Sequence, residues 1–174
     1  EMCYEAWRVI CCSHFMRDEI SQVLNVPHDK LDIIANGVDP SKFDFSFDAA
    51  EFRKWFARPE EKIVFFVGRM VPEKGVQVLI QAVPEILPVY GDIKFVIVGG
   101  GDRDHLVKQA EQLGVSDKIF FTGYVDDDTL LKLYRVADVA VYPSLYEPFG
   151  IVALEAMVAQ VPVVVTDVGG LREV

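Results

Sequence analysis

No apolar run in this 174-residue chain approaches the ~18 residues of a membrane-spanning helix, so the sequence offers no spanning segment. Cysteine is scarce. Cys3, Cys11 and Cys12 are crowded at one end. They fit neither a disulfide framework nor a zinc-ligand spacing and read as buried free thiols of a reducing compartment. His14, His28 and His105 are scattered, and no metal site is expected. The segment 1–5 lacks the basic and long apolar regions of a secretory signal. With the free thiols, that points to a cytoplasmic protein. Cations are in deficit: 17 Lys and Arg face 27 Asp and Glu, a net charge of −10. Nucleic acid needs a basic face, which argues against it as a general partner. The dinucleotide fingerprint G-x-G-x-x-G is missing, which disfavours a dehydrogenase. No Ser/His/Asp or Cys/His set is visible for nucleophilic catalysis.

What remains is ordinary in bulk and specific in detail. The chain is 51% apolar and 25% charged, normal for a soluble domain with one core. From residue 63 onward, β-rich apolar runs alternate with helical patterns. The runs cover residues 63–67, 94–98, 118–121, 139–142 and 162–166. They are nearly continuous in apolar character, as strands buried on both faces of a parallel sheet are. Between them, Val76, Leu79, Ile80 and Val83 keep helical spacing, and Pro84 is expected to kink or shorten that helix. Leu106, Val107, Ala110 and Leu113 form a second stripe, stopped by Gly114. Leu130, Leu131, Leu133, Tyr134 and Ala137 form a third, capped by Asp127 or Asp128. Strict alternation predicts a doubly wound α/β fold, Rossmann-like, with ligands at the carboxyl ends of the strands.

The first 45 residues differ in pattern. Residues 7–12 and 31–35 suit strands, and a helix capped by Ser13 suits the stretch through Leu24. Asn36-Gly37 marks a turn. The far end, Gly169 to Val174, looks like a loop and the first turn of a helix, with an N–H cluster at Gly169-Gly170 suited to an anion.

The strand ends carry the chemistry. Gly68-Arg69 follows the first run, and Lys74-Gly75 precedes the first helix. A cation at a helix N-terminus is disfavoured by the dipole, and a bound anion would remove the conflict. Arg69 and Lys74 on one rim suit a diphosphate. Gly99-Gly100-Gly101 allows close backbone approach after the second run. After the third, Tyr124 in Gly123-Tyr124-Val125 either packs over a nucleobase or covers the sheet end. The stretch Glu147-Pro-Phe-Gly-Ile-Val-Ala-Leu-Glu155 sets two carboxylates eight residues apart with only apolar residues, Gly or Pro between them. A helix over 150–160 is apolar all round and should be buried, with Glu155 its only charge. Glu155 then either meets a structural Arg or Lys or serves a ligand. Glu147 falls before that helix, where unpaired N–H groups favour an ionised acid.

Together these residues resemble the donor-binding half of a retaining GT-B glycosyltransferase, of the kind often called glycosyl transferases group 1. The resemblance runs from Asn36-Gly-Val-Asp39 to Val174. It is strongest at Val67-Gly-Arg69, Glu73-Lys-Gly75, Val98-Gly-Gly100 and the E-x7-E stretch, whose wording is similar to glycogen-synthase-like members. It implies that Arg69 and Lys74 hold the donor diphosphate, with Gly68, Gly99 and Gly100 close by. It implies that Glu155 binds the ribose, and that Glu147 with the backbone at Phe149 and Gly150 holds the sugar. Tyr124 and Val125 would border the base. The implied reaction moves a glycosyl group, glucosyl by the wording, from a UDP-, ADP- or GDP-sugar to a carbohydrate or other hydroxyl acceptor, with retention and without a metal or cofactor. Residues 1–35 would be a remnant of the acceptor-side domain, and 36–174 the donor domain without its C-terminal end. Such a chain is expected to bind donor, to transfer little or no sugar by itself, and to self-associate or be marginally stable, because the apolar faces with Trp7, Val9, Ile10 and Phe15 lack their partner domain. A nucleotide-sugar epimerase-like enzyme and a non-catalytic nucleotide-sugar module are the alternatives.

Overall fold

The apolar runs become the strands of a parallel sheet. The computed structural model describes residues 2–174; Glu1 lies outside the described residues. Short helix α1 (Met2–Glu5) leads into β1 (Val9–Cys11), α2 (His14–Leu24) and β2 (Leu31–Ile33). Then come α3 (Ala49–Arg53), β3 (Lys62–Val67), α4 (Val76–Ile86), β4 (Ile93–Val98) and α5 (Asp104–Gln112). The chain continues through β5 (Ile119–Gly123), α6 (Asp127–Val136), β6 (Val139–Tyr142), α7 (Ile151–Val158) and β7 (Val163–Val165). Among the described residues, β1 and β2 pair by themselves, and the others form a five-stranded sheet ordered β5-β4-β3-β6-β7. Every pairing is parallel. No helix among the described residues is long and apolar enough to cross a membrane.

The order positions the site. From β3 the chain winds outward to β4 and β5, then crosses back to β6 and winds the other way to β7. The winding reverses between β3 and β6. In doubly wound sheets a crevice opens at that switch, outside the carboxyl ends of the strands. The segments leaving β3 and β6 there are Gly68 to Gly75 and Pro143 to Gly150.

Central strands are buried as the apolar runs predict. Ile63, Phe65, Phe66, Phe95, Val96 and Ile97 are at most 1% exposed, and each such side chain contributes roughly 1.5–3 kcal/mol of burial. The edge strand β7 departs from this, because an edge has fewer neighbours: Val164 and Val165 are exposed. Helix α7 also corrects the expectation of burial on all sides. Its small residues Ala153 and Ala156 are buried, whereas Ile151 and Met157 are exposed. Pro84 lies inside α4, which runs two residues past it without interruption. The missing N–H removes one helical bond, to the Ile80 carbonyl, and the ladder resumes beyond it, with the Leu87 N–H donating to the Val83 carbonyl at 3.1 Å. Asp126 caps α6, in place of Asp127 or Asp128: its extended backbone lets the carboxylate accept the Thr129 N–H at 2.7 Å.

Residues 9–31 have a small core of Cys11, Val26 and Leu31. Ser13 caps α2 as predicted, accepting the Met16 N–H at 3.0 Å. Of the three free thiols, Cys11 is buried, and Cys3 and Cys12 are partly so. Trp7 and Ile10 are exposed.

At the opposite end of the sheet, Asp138 ties α3 to β3. It accepts from Arg53 Nη2 at 2.6 Å, Lys62 Nζ at 3.0 Å and the Ile63 N–H at 2.8 Å. Burial opposes its ionisation, but the Ile63 N–H, Arg53 and Lys62 outweigh burial and hold the carboxyl below its ordinary value. A depressed carboxyl stabilises above the unfolded pKa of about 3.9 and loses that stabilisation as pH falls through the folded value. Asp138→Asn should therefore cost about 1.5–3 kcal/mol at neutral pH. The cost should shrink as pH falls through the folded value, where wild type becomes protonated too. Urea denaturation from neutral to progressively acidic pH checks this, and a cost independent of pH would contradict it.

Candidate functional site

Lys74 and Glu147 meet at the switch point. Pro72–Lys74 is a single 3-10 turn after β3, and Gly75 opens α4 directly behind it. The Lys74 Nζ lies 2.6 Å from Glu147 Oε2. Ser144 Oγ donates to the same oxygen at 3.2 Å. Glu147 is only 7% exposed. The dipole conflict at Lys74 is therefore answered by a carboxylate of the protein itself, where the sequence suggested a bound anion. The backbone fastens the two segments together: the Glu73 carbonyl accepts the N–H groups of Leu145 and Tyr146 at 2.8 and 3.2 Å. Behind them, the Glu147 carbonyl accepts the Gly170 N–H at 2.8 Å. That N–H is therefore engaged, which removes Gly170 from the expected anion cluster.

Arg69 is exposed and has no side-chain partner among the described residues. It stands on the same rim, five residues before Lys74. Gly68 and Gly99 extend the sheet past its strand ends. The Gly68 N–H donates to the Val98 carbonyl at 3.0 Å and the Gly99 N–H to the Gly123 carbonyl at 2.9 Å. Gly100 is exposed beside them, and its carbonyl accepts the Met70 N–H at 2.9 Å.

Glu155 stands apart from Glu147. Half-buried on α7, it accepts a hydrogen bond from the Tyr134 hydroxyl at 2.6 Å. Among the described residues it meets neither Arg nor Lys, so the structural cation weighed from sequence is not its partner. It lines a cleft of about 310 Å3 with Gly37, Val38, Asp39, Leu130, Tyr134 and Ile151 among the walls. Tyr124, Val125 and Phe149 are not in that wall. Tyr124 is 82% exposed, Phe149 is buried, and Val125 packs on the core. A larger groove of about 670 Å3 opens near Trp55, Arg58 and Lys118, at the amino ends of the strands. The switch-point rule favours the smaller cleft.

Sequence reasoning missed Ser144 and the role of Tyr134. Ser144 carries no signal before the loop is folded. Tyr134 falls in an apolar helical stripe and reads as core. Among the described residues no group of three or more His, Cys, Asp or Glu is placed to hold a metal ion.

This sheet order, with a Lys–Glu pair at the switch and a second Glu one helix turn inside, meets its match among known sequences. The pattern of Glycosyl transferases group 1 covers residues 47–174, and that of Glycosyltransferase Family 4 covers residues 1–42. The chain belongs to the glycosyl transferases group 1 family. An uncharacterized glycosyltransferase of Methanocaldococcus jannaschii is 48% identical over 98% of this chain and 45% of its own length. The glycogen synthase of Mycobacterium tuberculosis is 37% identical over 97% of the chain and 41% of its own. The chain thus spans under half the length of these relatives. Its fold is that of the C-terminal Rossmann-like half of GT-B enzymes. Anabaena HepE, solved in complex with UDP-glucose, superposes with a TM-score of 0.87 at 27% identity, over 97% of this chain and 47% of that one.

Proposed function

We propose that this chain is the donor-binding part of a retaining glycosyltransferase that moves a glucosyl group from a nucleotide sugar to an acceptor hydroxyl. The observation that carries the reading is the Lys74–Glu147 pair at 2.6 Å, set at the switch point eight residues before Glu155. Support for the donor comes from the UDP-glucose in the HepE complex. Support for retention and for glucose comes from the likeness of the E-x7-E wording to glycogen-synthase-like sequences.

The chemistry follows from charge. Transfer breaks the bond between the anomeric carbon and the diphosphate oxygen, and the electron pair leaves with that oxygen. Arg69 and Lys74 stabilise the charge that develops there. The acceptor oxygen forms the new bond, and its proton passes to the departing diphosphate oxygen. Glu147 is buried and paired with Lys74 at 2.6 Å, which suits accepting hydroxyls of the sugar, together with the backbone at Phe149 and Gly150. Glu155, in its cleft, accepts from the ribose. Tyr124 and Val125 border the base.

The chain should bind UDP more tightly than UMP, because the second phosphate meets the rim cations. Arg69→Ala removes a cation that has no structural partner. It should weaken UDP by about 10- to 150-fold, the worth of a charge-assisted bond of about 1.5–3 kcal/mol, and barely change the melting temperature. Calorimetry against UDP, ADP, GDP and the monophosphates decides. Equal affinity of wild type and variant would sink the assignment. Transfer itself is tested with labelled UDP-glucose and hydroxyl acceptors, reading the anomeric configuration of the product by NMR.

A further inference from the structure

Tyr134 is 1% exposed, yet its hydroxyl reaches the cleft wall and donates to Glu155 Oε2 at 2.6 Å. Its ring is wedged edge-on between Phe65, with centroids 5.0 Å apart, and Phe43, at 5.9 Å. The phenol is thus held by packing from β3 on one side and the segment before α3 on the other. Glu155 has no other hydrogen-bond partner among the described residues. Tyr142, beside Tyr134, is 1% exposed.

The choice of a phenol has a consequence. A guanidinium in this place would take both carboxylate oxygens at once. A lysine would neutralise the charge. A single O–H uses one acceptor position of a carboxylate that has about four and leaves the group anionic. The carboxylate is then fixed in orientation and still hungry for hydroxyl donors, which a ribose diol supplies in pairs. Burial and the nearby Glu155 charge push the Tyr134 hydroxyl far above its ordinary pKa, so it stays a donor at any working pH.

We infer that Tyr134 is a positioning residue of the nucleoside subsite, which orients Glu155 so that its free acceptor positions face the ribose hydroxyls. The inference rests on the donor-site reading above. Tyr134→Phe removes one oxygen and keeps the ring, so the packing against Phe43 and Phe65 is retained.

The test is calorimetry on the 174-residue chain with UDP and 2′-deoxy-UDP. Wild type should prefer the ribose form by about tenfold, the scale of one hydrogen bond to a charged group. In Tyr134→Phe the preference should fall to about twofold or less, mostly through weaker UDP binding. In a Glu155→Gln background, Tyr134→Phe should leave the already reduced preference unchanged, since the phenol acts through the carboxylate. A merely structural tyrosine would weaken both nucleotides alike in either background. Unchanged preference in Tyr134→Phe, with wild type discriminating, overturns the role of Tyr134 and leaves the donor site standing. An effect that persists in the Glu155→Gln background overturns the route through Glu155. Wild type that binds no UDP, or ignores the 2′-hydroxyl, overturns the ribose site and this inference together.

Discussion

Lys74→Ala should damage both binding and stability. The variant loses a diphosphate contact, and UDP affinity should fall by about 10- to 100-fold, as for other charge-assisted bonds. It also strands Glu147. That side chain is 9% exposed and its partner 22%. Breaking a buried pair costs about 3–5 kcal/mol. Partial exposure of Lys74 moderates this to roughly 2–4 kcal/mol, with Ser144 the remaining donor. The two losses separate in the double variant Lys74→Ala/Glu147→Gln. Removing the stranded charge should restore much of the stability, while UDP binding stays weak. Denaturant titration and calorimetry on wild type, Lys74→Ala and the double variant give both numbers. A Lys74→Ala protein as stable as wild type would show that Glu147 does not depend on the pair.

Gly75→Ala should be at least as costly, for a reason of shape. Gly75 has φ of +72°, and a Cβ there would lie 1.8 Å from the Pro143 carbonyl oxygen. The left-handed conformation costs a non-Gly residue about 1–2 kcal/mol, and relieving the overlap adds about 1–3 kcal/mol. The obstacle is backbone, so no rotamer change removes it. Moreover, Gly75 adjoins Lys74, and Pro143 begins the loop that carries Glu147. Forcing them apart should lengthen the Lys74–Glu147 contact and weaken UDP binding as well. Gly114→Ala is the control: φ is +67°, but nothing lies within 4 Å of its Cβ. It should show only the conformational cost. Equal melting temperatures for the two variants would refute the steric explanation.

Much of the fold was legible because its signals are local. Each run of apolar β-formers became a strand to within a residue or two, since a strand buried on both faces tolerates few polar residues. Ser13 as the cap of α2 was legible for the same reason: a cap bonds within three residues of itself. The errors have a common cause. Asp126 was passed over because three consecutive Asp residues look alike until the backbone chooses which is extended. Helix α7 was expected to be buried because apolar composition says nothing of what lies opposite Ile151 and Met157. Strand β7 was read like its neighbours because edge position is not written in the strand.

The candidate site divides the same way. By itself, the sequence determined the parts: the residue types, their spacing and the placement of Arg69, Lys74, Glu147 and Glu155 at strand ends and helix starts. Tertiary structure alone decided the partners. Lys74 meets Glu147 across 73 residues, and Glu155 meets Tyr134 across 21. A buried charge must find its partner in space, and the reversal of winding between β3 and β6 brings the first pair together.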